Sequence, residues 1–111
     1  MLMGLMLAAG VVSARNIEPK LEAYGNLVKA TYYFENGKVS QTGFFKNGKL
    51  EGQWVSFDVN GNKKAVAEYA DGKKTGQWLY WNDGALSEVT YQENALQSVK
   101  TWKQEALVNR N

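Results

Sequence analysis

Residues 27–103 break into short runs rich in Val, Tyr, Phe, Trp and Thr, each closed by a polar pair that ends in glycine. The pairs are Asn36-Gly37, Asn47-Gly48, Asn60-Gly61, Asp71-Gly72 and Asp83-Gly84, and they follow one another at nearly even intervals. The apolar runs are too short and too aromatic for helices, and their composition is that of strands. A two-residue type I′ turn requires positive φ at both central residues, which Asn and Asp tolerate and Gly adopts freely. Each pair therefore predicts a hairpin, and Glu93-Asn94 predicts a weaker sixth one. The expected fold class is all-β: an antiparallel meander of about seven strands in a single twisted sheet.

The runs repeat. Aligning 29–53 with 53–77 brings Gly37 onto Gly61, Gly48 onto Gly72, Gly52 onto Gly76, Tyr33 onto Phe57 and Phe45 onto Tyr69. Trp54, Trp78 and Trp102 continue the same spacing, as does Phe57 to Trp81, whereas Gly61 to Gly84 and Tyr69 to Tyr91 fall slightly short of it. Glycines and aromatics in one register define an internal repeat with a contracted third copy.

In residues, the pattern is Tyr32-Tyr33, Asn36-Gly37, Phe45, Asn47-Gly48-Lys49 and Gly52-Gln53-Trp54, and then Phe57, Asn60-Gly61, Tyr69, Asp71-Gly72-Lys73 and Gly76-Gln77-Trp78. A third round gives Tyr80-Trp81, Asp83-Gly84 and Tyr91. This resembles the bacterial MORN-like repeat over residues 27–103. The resemblance implies stacked β-hairpins, and it is similar to small exported bacterial proteins and to a family labelled as toxin–antitoxin antitoxins of MORN-repeat type. The third copy lacks the Gly-x-Trp glycine, which fits a capping role.

Residues 1–14 carry no charge and are apolar except for Gly and Ser13. As a helix they would span about 21 Å, short of the roughly 30 Å hydrocarbon core, so they read as a signal segment cleaved near Ala14 rather than a membrane span. The expected organisation is a signal peptide at 1–14, a linker at 15–26 holding the one Pro, a repeat domain at 27–103 and a polar tail at 104–111. The expected location is secreted, periplasmic or in the cell envelope.

Composition narrows the chemistry. With no Cys and no His, the chain has no thiol nucleophile, no Ser-His-Asp triad and no zinc site of the usual kind. A net charge of +2, from 13 basic and 11 acidic residues, does not predict nucleic-acid binding. The acids sit at turn flanks and form no catalytic pair, and the glycines lack the strand–loop–helix context of a phosphate site. No catalytic, cofactor-binding or metal-binding residue is expected, and the chain reads as non-enzymatic, a structural or protein-interaction module.

Two candidate surfaces remain. Tyr33, Phe57 and Trp81 occupy the same place in successive repeats and should form a row on one sheet face, the candidate partner-binding face. Trp54, Trp78 and Trp102 should lie opposite, since an offset of three positions reverses the face in an unbulged strand. Gly52 and Gly76, two positions before a Trp, predict close approach of those indoles to bare backbone, making the Trp row the buried set. Lys46, Lys49, Lys73 and Lys74 gather at one sheet end, a candidate contact for an anionic membrane surface. The partner expected first is a protein, with peripheral lipid contact or antitoxin-like partner binding as alternatives.

Overall fold

The computed structural model describes residues 17–103. They form one open antiparallel sheet with no helix among the described residues. Its strands are β1 Lys20–Tyr24, β2 Leu27–Tyr33, β3 Val39–Lys46, β4 Lys49–Phe57, β5 Lys63–Ala70, β6 Lys73–Lys74, β7 Gly76–Asn82, β8 Ala85–Gln92 and β9 Ala95–Lys103. Each pairs with its sequence neighbours, except that β6 and β7 both pair with β5 and are broken only at Thr75. The signal segment proposed for 1–14 and the tail at 104–111 lie outside the described residues.

The strand bounds follow the sequence period. β5 begins and ends one full repeat after β3, and β6 begins one full repeat after β4. β8 follows β5 by slightly less than a repeat. The stretch 15–26, expected as a linker, carries β1. Tyr24 and Leu27 are directly paired around Gly25-Asn26, and of these two only Gly25 has positive φ, at 63°. That is a type II′ hairpin turn, with glycine where the backbone demands it.

The turns divide into two kinds, which corrects the expectation of uniform two-residue hairpins. Asn47-Gly48, Asp71-Gly72 and Asp83-Gly84 have positive φ at both residues, as does Glu93-Asn94 at 50° and 71°. At Asn36-Gly37 and Asn60-Gly61 only the glycine does. There, the Gly37 N–H donates to the Phe34 carbonyl and the Phe34 N–H to the Lys38 carbonyl, at 2.9 and 2.8 Å, and Asp58 to Asn62 repeat both bonds. This is a three-residue loop with a bulge glycine. The Asp58 carboxylate accepts from the N–H groups of Asn60 and Asn62 at 2.9 and 3.0 Å, fixing the wider loop.

Residues directly opposed across a ladder share a face, so the register assigns the two sides. On one face Leu21 opposes Ala30, Ala30 opposes Gly43, Trp54 opposes Ala67, Trp78 opposes Val89, and Val89 opposes Val99. This line holds the core: Ala30, Gly43, Trp54, Trp78 and Val89 are buried, each Trp keeping 6% of its surface exposed. Small residues alternate with indoles, so each large ring lies over a neighbour that leaves it room. The indole N–H of Trp54 donates to the Phe44 carbonyl at 3.0 Å, and that of Trp78 to the carbonyls of Glu68 and Thr75 at 3.1 Å. Phe45 meets Trp54 edge-on at 5.2 Å, and Tyr69 and Tyr91 do the same to Trp78 at 5.2 and 5.1 Å.

Two expectations about this face are corrected. The glycine beneath an indole is Gly43, on the neighbouring strand. Gly52 and Gly76 instead have φ of 74° and 68°. Gly52 lies where the β3–β4 register shifts and Gly76 follows the break at Thr75, so their role is backbone conformation. Trp102 does not continue the Trp54–Trp78 line: it opposes Leu86, which opposes Trp81, on the other face. In space the third copy is contracted by three positions, since Val99 takes the place after Trp78 on one face and Trp102 the place after Trp81 on the other. An odd contraction exchanges the faces.

Candidate functional site

The face opposite Trp54 and Trp78 has no second layer among the described residues. Its middle line runs Thr31, Thr42, Val55, Val66 and Leu79 through successive direct pairings, then reaches Glu88 and Lys100. Strand parity places Tyr33, Phe57 and Trp81 on this same face, next to the turns at 34–38, 58–62 and 83–84. All three are half-buried. They make no ring–ring contact with one another, since a strand stands between each pair. What continues from Trp81 is Leu86 and then Trp102, directly opposed across β7, β8 and β9.

The surface is therefore broader than the aromatic recurrence implies. Val55, Val66, Leu79 and Leu86 join Tyr33, Phe57 and Trp81, and Trp102 extends the patch to the last strand. The aliphatic members do not repeat with a single residue type, so a search for recurring rings passes over them; counting alternate positions along each strand finds them. The hydroxyls of Thr31 and Thr42 lie 3.3 Å apart at one margin, and Thr42 also donates to the Ala30 carbonyl at 3.0 Å. Glu88 and Lys100 bound the other margin.

The four lysines lie at one end of the sheet, where the Gly72 N–H donates to the Leu50 carbonyl at 2.9 Å, but they are engaged differently. Lys46, Lys49 and Lys73 are exposed, and Lys46 directly opposes Lys49. The Lys49 Nζ lies 3.7 Å from the Asp71 carboxylate. Lys74 turns to the core face, with its Nζ 5.2 Å from the Trp78 ring centre and 5.0 Å from that of Tyr91. Two of these four cations are thus occupied within the chain, one by a carboxylate and one by ring faces.

Burial pushes the phenols of Tyr32, Tyr69 and Tyr80 up, the neighbouring Tyr91 adding to the shift of the last two. The Asn62 N–H, with help from the Asn60 N–H, holds the exposed Asp58 carboxyl below its usual range. Asp58 is committed to its own loop. Among the described residues no group of three or more acids gathers in a geometry that could hold a metal ion.

No protein-family model, curated protein or solved structure matches the chain.

Proposed function

We propose that the chain is a non-enzymatic repeat protein of the MORN-like kind, exported by its apolar 1–14 run, whose sheet receives a protein partner on the Tyr33–Phe57–Trp81 face. The observation that carries this reading is the disposition of apolar side chains on an open sheet. One face spends its indoles on its own packing, with both Trp side chains buried and hydrogen-bonded. The other keeps Tyr33, Phe57, Trp81 and Leu86 half-exposed beside Val55, Val66 and Leu79. Aromatic rings backed by aliphatic residues and bordered by charge have the composition of a protein-recognition surface.

The turn lysines have no comparable focus, because Lys49 pairs with Asp71 and Lys74 lies on Trp78 and Tyr91. The test is capture of partners from the envelope fraction by the chain from Arg15 onward, compared with Trp81→Ala and Phe57→Ala. The expected result is a specific protein retained by the parent chain and lost by both variants, while their melts remain cooperative. Equal retention by all three would refute the face. Salt-sensitive retention of anionic vesicles in place of a protein would assign the surface to lipid.

A further inference from the structure

The two edges of the sheet are built differently. β1 is five residues long, follows Pro19 and carries a Lys20–Glu22 ion pair at 3.8 Å. Short length, proline and charge are the devices that blunt a sheet edge. β9 is nine residues long, with β8 on one side and no described strand on the other; it carries Lys100, Lys103 and a bulge at Gln97, so its regular edge is the stretch from Ser98 onward. Its middle residue is Val99, which occupies the place that Trp54 and Trp78 hold in the core line and opposes the buried Val89. Yet Val99 is 57% exposed, because the line stops there.

We propose that β9 pairs antiparallel with β9 of a second copy about a two-fold axis at Val99, joining two sheets into one. An axis perpendicular to the sheet keeps both Trp54–Trp78 faces on the same side, so the core line continues from Val89 through Val99 into the second copy. The charges of β9 fit this register. With the axis at Val99, Lys100 faces the partner's Ser98, and the pairing is regular as far as the bulge at Gln97, which the β8–β9 ladder skips. Moving the axis by one position, to Lys100, would set two lysines directly opposite each other, a destabilising arrangement. The contact is self-complementary and therefore closes at two copies, whereas β1-to-β9 pairing would propagate without end.

The chain has no cysteine, so a single introduced thiol reports the register directly. At the axis, Val99→Cys places two Cα atoms about 4.5–5.5 Å apart, within disulfide range. Leu96 is 58% exposed, an equally accessible site. Two ladder steps from the axis, across the Gln97 bulge, Leu96→Cys would stand roughly 13 Å or more from its counterpart at about 3.3 Å per step, outside disulfide range. The expected result on the full chain is a covalent dimer from Val99→Cys under mild oxidation and none from Leu96→Cys. The parent chain should sediment as a dimer as its concentration rises through the micromolar range, and Val99→Lys should remain a monomer with an unchanged circular dichroism spectrum. A parent chain that stays monomeric, a Val99→Cys variant that fails to cross-link, or equal cross-linking by both thiols would overturn the proposal.

Discussion

Gly43 lies directly beneath the indole of Trp54: a Cβ at position 43 would overlap the ring atoms Cγ, Cδ2 and Cε2. Position 43 has no positive φ, so its requirement for glycine is one of space alone. The ring settles against bare backbone, its N–H reaches the Phe44 carbonyl, and Phe45 and Tyr32 close around it at 5.2 and 6.4 Å. One missing methyl thus permits the burial of one indole.

Gly43→Ala should therefore destabilise the sheet through overpacking, by about 1–3 kcal/mol. Ala is otherwise the better strand residue, so propensity argues for the opposite sign. Urea midpoints of parent and variant decide between them, and an unchanged or raised midpoint would mean that Trp54 can leave its position at little cost.

The turn at Glu93-Asn94 holds two non-glycine residues at positive φ. Asn94 is secured by reciprocal bonds: its N–H donates to the Lys74 carbonyl at 2.9 Å, and its side-chain oxygen accepts from the Lys74 N–H at 2.8 Å. Asn94→Ala loses the side-chain bond and retains an unfavourable φ, so a loss of about 1–2 kcal/mol is expected. Asn94→Gly loses the same bond while relieving the backbone, and should cost less. Equal losses in the two variants would leave the bond, rather than the φ, as the whole effect.

The hairpins are legible in sequence wherever local chemistry dictates the backbone. Asn47-Gly48, Asp71-Gly72 and Asp83-Gly84 adopt positive φ at both positions because few other pairs do so cheaply. Asn36-Gly37 and Asn60-Gly61 look the same in sequence, but their turns start earlier, at Phe34 and Asp58. At the second loop the deciding signal is the Asp58 side chain, two positions upstream of the pair. β1 escapes a sequence reading because Gly25-Asn26 has the reverse order of the other pairs and Lys20–Tyr24 is charged at two of five positions. The separation of Trp54 and Trp78 from Phe57 and Trp81 follows from strand parity. The placement of Trp102 does not, because Trp102 keeps the full spacing in sequence, and the extent of the third copy's contraction, with the bulge at Gln97, is visible only in the pairing of β8 with β9. The wider surface around Trp81 is a property of register too, which is why its aliphatic members do not announce themselves.

Acid should weaken the 58–62 loop. The folded-state pKa of Asp58 is lowered, by the Asn62 N–H first, so its contribution is present above the unfolded aspartate value and is lost as pH falls through the lower folded value. The melting temperature of the parent chain should decline on the acid side of the usual aspartate range. Asp58→Asn should flatten that part of the curve. Superimposable acid profiles would show that the carboxylate does not hold the loop. On the alkaline side the sign reverses: the raised phenol pKa values of Tyr32, Tyr69 and Tyr80 give stability that is present below the unfolded tyrosine value and lost as pH rises through the folded ones.

The strongest contrast lies between two tryptophans on β7, Trp78 and Trp81. Trp78 keeps 6% of its surface exposed, donates to two carbonyls, and is ringed by Tyr69, Tyr80 and Tyr91 with the Lys74 Nζ beside it. Trp81 is half-buried on the opposite face, in line with Leu86 and Trp102. Trp78→Ala removes the centre of a ring cluster and leaves a cavity that the strands cannot fill, so about 3–5 kcal/mol should be lost. Trp81→Ala removes a ring with one side in water and should cost on the order of 1 kcal/mol. Paired denaturation curves measure both changes, and partner capture measures the second property. If Trp81→Ala is the more destabilising change, the sheet relies on the face assigned to binding, and its half-exposed rings are structural. If it is the milder change and capture is lost, stability and recognition occupy opposite sides of one strand.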